Sequence, residues 1–228
     1  MANRNKKLRN PQNYEVEAFI DAAAMGQLEA VKGFIARGMD INTRCPLEGD
    51  TALNYAASGG DMKMLRWLLE NGADPDLAND AEETALHYAT FNGSLDVMAV
   101  LLTHKADPDL RNKDGMTPLV WALRRSEDEA VRLLLQAGAD PNLADKDGNT
   151  PLIWAAKRGN AEMTELLLAK NAKLDLTDRT GQTAVDVARK SGQAAVLKVI
   201  ENFREKQRTH KLHDQQGRLR DYLRNRKP

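Results

Sequence analysis

Apolar residues along this chain fall into short helical stripes separated by polar turns. After Thr117, the residues Leu119, Ala122, Leu123 and Ser126 follow at i, i+3, i+4 and i+7, which sets one stripe facing inward. A second stripe follows, made of Ala130, Val131, Leu134 and Leu135. The same second stripe recurs as Met64, Leu65, Leu68 and Leu69, and again as Val97, Met98, Leu101 and Leu102. The pattern therefore predicts pairs of short helices. Thr117 is a good N-cap, because its hydroxyl accepts from the orphan amides of the first turn. Pro118 sits at the first helical position, where a missing N–H costs nothing. Gly138 ends the second helix, and the Asp-Gly of the segment GADPNLADKDGN marks a turn back to Thr150.

The pairs repeat with a fixed period. TALNYA begins at Thr51, TALHYA at Thr84, TPLVWA at Thr117, TPLIWA at Thr150 and TAVDVA at Thr183, and successive threonines are 33 residues apart. Nine residues after each comes Gly60, Gly93, Ser126, Gly159 or Gly192. A degenerate sixth copy lies upstream, with Glu17 in the Thr place, Phe19, Ala22 and Ala23 on the core positions and Gly26 closing the helix. One residue is added in the loop before Thr51. Such a period means a stacked array in which each copy buries its faces against its neighbours.

The period and the T-P-L-H-x-A string resemble the ankyrin repeat over roughly residues 17 to 203. The resemblance implies an all-α solenoid of stacked helix–turn–helix pairs with projecting β-hairpin fingers. The expected organisation is a basic, disordered segment 1–13 and an array 14–203. Its repeats start near 17, 51, 84, 117, 150 and 183. A basic tail 204–228 follows, either disordered or forming a short helix. Glu201 stands where other copies have Leu69, Leu102, Leu135 and Leu168, so the stack is expected to stop near 203.

The whole chain is formally neutral, with 33 basic and 33 acidic residues among 228. Its charge is nonetheless divided. Residues 1–16 hold four cations against Glu15, a net of +3, and residues 201–228 hold nine against four, a net of +5. The repeat body is correspondingly acidic, near −8. One cysteine leaves no internal disulfide framework, which points to a reducing, cytoplasmic setting. The longest apolar run, Val97 to Leu102, is far short of a bilayer span, and no secretory signal opens the chain.

Candidate binding residues come from the helix side opposite the packed stripe. At 3.6 residues per turn, positions four, seven and eight after each anchor point away from the core leucine, and the resemblance implies that this side lines a concave groove beside the fingers. Position four reads Asp21, Tyr55, Tyr88, Trp121, Trp154 and Val187. Positions seven and eight turn from uncharged residues, Phe91 among them, to Arg124, Arg125, Lys157, Arg158 and Lys190, five cations and no anion. Like charges held this close repel one another. Tyr, Trp and Arg are the residue types enriched at binding hot spots. The groove thus suits an acidic partner segment with apolar anchors, about 15 extended residues along roughly 50 Å. Two plainer readings stand beside this one: the rings cover the adjacent helix, and the cations form a solvated face.

Other features carry less. The resemblance gives His87 a structural role in the turn network. His210 and His213 are three apart but have no further ligand beside them, so no metal is assigned. Cys45 lacks a paired base, and no phosphate loop or nucleophile elbow occurs, so no catalytic residue and no cofactor is assigned. In the tail, Leu212, Leu219, Tyr222 and Leu223 form an apolar stripe on a basic helix interrupted by Gly217. The resulting expectation is a non-catalytic, monomeric protein-interaction module: an adaptor, scaffold or inhibitor. The alternatives are binding of nucleic acid or an anionic surface through the groove cations and tail, or a bacterial ankyrin effector exported into a host cell.

Overall fold

A computed structural model describes residues 11–224, which fall into two compact units dividing between Lys146 and Asp147. The first unit holds α1 (Pro11–Ala24), α2 (Leu28–Ala36), α3 (Ala52–Gly59), α4 (Met62–Glu70), α5 (Ala85–Phe91), α6 (Leu95–Thr103), α7 (Pro118–Arg125) and α8 (Asp128–Gln136). The second holds α9 (Pro151–Arg158), α10 (Ala161–Ala169), α11 (Ala184–Lys190) and α12 (Ala194–Arg224). In the first unit each odd helix pairs with the even helix that follows, while α1, α3, α5 and α7 pack in succession. In the second, α9 pairs with α10 and packs on α11, and α12 packs on both α10 and α11.

The caps follow the sequence chemistry. Thr51, Thr117, Thr150 and Thr183 each accept from the backbone N–H three residues on, at 3.2 to 3.3 Å. The first helices bury small residues such as Ala56, Ala57, Ala89 and Ala122, which lets the neighbouring helix approach closely. The second helices fill the space between layers with Leu65, Met98 and Leu134, all fully buried. Ser126 departs from expectation: it is exposed and closes α7 in the left-handed region at φ 64°. It occupies the place that Gly60 fills for α3, so it is not part of the inward stripe.

The fingers are turns with no extended hairpin. Among the described residues the only extended pairing is two isolated bridges, Arg44 with Thr51 and Thr177 with Thr183. Neighbouring fingers are tied by single backbone bonds: Asp80 N–H donates to Glu48, Lys113 to Ala81 and Lys146 to Asp114, at 2.8 to 3.0 Å. Gly115 shows why the contact demands glycine. Its φ is 71°, and a Cβ there would meet Lys146 N at 2.9 Å. Behind the second helices, Asp76 accepts from Asp107 N–H at 2.8 Å and Asp109 from Asp140 N–H at 2.9 Å, so aspartate side chains hold successive loops in register.

Both ends differ from the sequence reading. Residues 1–10 of the basic segment lie outside the described residues, and Pro11 to Asn13 already belong to α1. At the other end, no break in the helix falls at 203. Over the described residues the tail is part of α12, which continues unbroken for 31 residues to Arg224, about 46 Å at 1.5 Å per residue. Between Asn202 and Gln216 the sequence supplies mostly good helix formers. Gly217 costs about 1 kcal/mol relative to Ala but has no competing turn to join. Residues 225–228 lie outside the described residues.

Candidate functional site

In the first unit, polar residues between the fingers and the first helices form a buried relay. Asp50 is 4% exposed. Its carboxylate accepts from Asn79 Nδ2 at 3.0 Å, Asn54 Nδ2 at 3.3 Å and the Tyr88 hydroxyl at 3.3 Å. Three donors replace the water that burial removes. Asn79 also donates to the Tyr88 oxygen at 2.9 Å, and its own carbonyl closes the finger by accepting from Ala81 and Glu83 N–H. Burial, then the Asp50 carboxylate, pushes the Tyr88 phenol above its ordinary range. Burial does the same for Tyr55, up to about 12, helped by Cys45, Asp50 and Glu48.

One repeat further on, the pattern shifts. Asn112 takes the place of Asn79, and its carbonyl accepts from Asp114 and Met116 N–H, both at 3.0 Å. Glu83 takes the place of Asp50; its carboxyl is raised by burial and lowered by a hydrogen bond from Asn112. Trp121 takes the place of Tyr88, but its buried indole Nε1–H finds no acceptor. Above it lies a recess of about 260 Å³ lined by Glu83, His87, Tyr88, Phe91, Asn112 and Trp121.

His87 forms the floor. Thr84 N–H donates to its Nδ1 at 3.2 Å, so Nε2 carries the proton and donates to the Met116 carbonyl at 3.1 Å. Burial holds its pKa near 4, so the ring is neutral at pH 7. The rim is aromatic and cationic. Phe91 and Trp121 rings lie 5.8 Å apart, tilted 42°. The Arg125 guanidinium stands 4.8 Å from the Phe91 centroid and that of Arg124 stands 5.8 Å from Trp121. Arg125 also lies 4.0 Å from Glu127, and Arg124 reaches Met116 Sδ at 3.5 Å. Phe91 is 46% exposed.

The family model described as "Ankyrin repeats (3 copies)" matches residues 19–112, 73–145 and 129–209. The chain belongs to the ankyrin-repeat family. Ankyrin repeats generally mediate protein–protein interaction and are typically non-catalytic. A search of curated proteins returned no match. Among the described residues no helix of this ankyrin chain is long and apolar enough to cross a membrane, and no cluster of three or more His, Cys, Asp or Glu could hold a metal ion. His210 and His213 are both exposed on α12.

The first unit of the ankyrin chain thus gathers Tyr88, Phe91, Trp121, Arg124 and Arg125 around one recess, while Tyr55 sits one repeat earlier, beside Cys45 and Asp50. In the second unit, Lys157 Nζ stands 5.1 Å from the Trp154 ring and donates to Asn149 Oδ1. Arg158 and Lys190 are exposed there, and Val187 is buried. Sequence reasoning missed Asp50, Glu83, Asn79 and Asn112. A signal for them exists in the same period: Asp50 and Glu83 each precede an anchor by one residue, and Asn79 and Asn112 precede one by five.

Proposed function

We propose that this ankyrin chain is a non-catalytic binding module, an adaptor, scaffold or inhibitor, that captures an acidic protein segment carrying apolar anchors. The observation that carries the reading is the recess in the first unit. Its walls are aromatic, its buried indole N–H lacks an acceptor, and two guanidiniums stand on its rings. An apolar side chain would cover Phe91 and the Trp121 face. A carbonyl or carboxylate beside it would take the indole hydrogen bond, relieving the cost of an unpaired buried donor. Neighbouring carboxylates would meet Arg124 and Arg125. The second unit offers the same chemistry in Trp154, Lys157, Arg158 and Lys190.

Two measurements test this. Reversing Arg125, Lys157 and Arg158 together to Glu is expected to abolish partner capture while the circular dichroism spectrum stays unchanged; capture that survives the triple reversal refutes the reading. The second measurement is a nuclear magnetic resonance titration of the three tryptophan indole N–H signals with a capped Asp-Leu-Glu peptide. The Trp121 signal is expected to shift, and Lys-Leu-Lys is expected to leave it in place. A stronger response to the basic peptide would assign the recess to a cation held by the rings and Glu83 instead.

A further inference from the structure

The free face of α12 carries a self-complementary pattern. At 100° per residue, Arg204, Leu197, Arg208, Glu201 and Leu212 fall within an arc of about 80° on this helix. Nearer the body of the second unit the same face is hollow. A recess of about 300 Å³ is floored by Val185, Leu197 and Ile200 and walled by the charged residues of α12. Further out nothing covers the face: Glu201, Arg204, Glu205 and Arg208 are exposed, and Leu212 is 57% exposed. Among the described residues no side chain pairs with any of these four charges. Lone charges and an outlying leucine beside a hollow with an apolar floor and charged walls, Arg189 of α11 among them, are what one half of an interface presents.

The order of the residues decides what the other half is. About a point midway between residues 204 and 205, Glu201 mirrors Arg208 and Leu197 mirrors Leu212. An antiparallel second helix of the same sequence, related by a two-fold axis at that point, sets Glu201 opposite Arg208 of the second copy and Arg208 opposite its Glu201. Leu212 of each copy then reaches the hollow over Leu197, Val185 and Ile200 of the other. Such an interface is isologous and closes at two chains. Arg204 and Glu205 flank the axis, each three residues from a charge of opposite sign on its own helix, Glu201 and Arg208 respectively.

We infer that the occupant of this face is a second copy of the chain, and that the protein forms an antiparallel two-fold dimer through residues 197–212 of α12. This takes the place of the monomer expected from sequence. The overlap is sixteen residues, about 24 Å of helix, so the interface is small and the dimer is concentration-dependent. Parallel pairing is disfavoured because it lays Glu201 on Glu201 and Arg208 on Arg208.

Sedimentation velocity on the full chain tests the inference. The wild-type mass is expected to rise with concentration from 25.3 kDa toward twice that value. Arg208→Glu and Glu201→Arg each set like charges face to face and are expected to weaken association roughly a hundredfold. An equimolar mixture of the two variants restores opposite charges at both contacts and is expected to associate, as is the chain carrying both changes. Both positions are exposed, so each variant keeps the wild-type circular dichroism spectrum. A wild-type chain that stays at one-chain mass overturns the inference. So does a dimer indifferent to either reversal, or a mixture no more associated than its components.

Discussion

Acidifying the solution from pH 7.5 to 5.0 tests His87, the one buried imidazole whose hydrogen bonds need it neutral. In the fold its Nδ1 accepts from Thr84 N–H and its Nε2–H donates to Met116, so the ring ties the start of α5 to the loop that precedes α7. Burial lowers its pKa from 6.5 to about 4. Between those values the unfolded chain takes up a proton that the folded chain refuses. Stability is therefore fully present above pH 6.5 and is lost as pH falls toward 4. The gap corresponds to about 3 kcal/mol in full, of which about 2 kcal/mol is already lost at pH 5.0. Urea unfolding followed by circular dichroism at the two pH values, on wild type and on His87→Gln, gives the comparison. The variant is expected to be less stable at pH 7.5, having lost the ring's bonds, but to lack this share of the pH dependence. Burial raises the carboxyls of Asp76, Glu83 and Asp109, which titrate in the opposite sense, but they are common to both chains and cancel. Equal pH dependence in the two proteins, or a His87 ring that titrates near 6.5 by nuclear magnetic resonance, would refute the reasoning.

Ser126→Gly is expected to stabilise the chain by about 1 kcal/mol in a thermal melt, because it relieves a left-handed backbone at a residue with a Cβ. Gly115→Ala is expected to destabilise by about 1–2 kcal/mol or more, from the same backbone penalty plus the close approach to Lys146 N. Tyr88→Phe removes a donor to the buried Asp50 carboxylate; a loss of about 1–3 kcal/mol is expected by urea unfolding, while a neutral outcome would show the relay to be slack. Leu134→Ala, at a fully buried position between layers, is expected to cost about 2–5 kcal/mol.

The sequence alone determined the elements and their order. A period of 33 residues, a threonine at each helix start and a stripe of apolar residues fix where helices begin and which face is buried, because caps and helical periodicity are local physics. Phe19, Leu53, Leu86, Leu119 and Leu152 could be placed in the core by counting, and they lie there. Candidate rings and cations could be placed on the opposite face by the same count. Tertiary structure decided what each of them meets. Tyr88 and Trp121 hold the same position in the period, yet one donates to a carboxylate of the preceding finger and the other is left without an acceptor. That difference depends on the length of the acid and the reach of the ring, which repeat counting does not contain. The run of α12 on to Arg224, past the charged Glu201 expected to close the stack, owes nothing to packing: residues 204–213 are exposed, and local helix formers carry it. A charge on one helix face ends the packing of that face, whereas the helix itself ends only where its backbone bonds are broken.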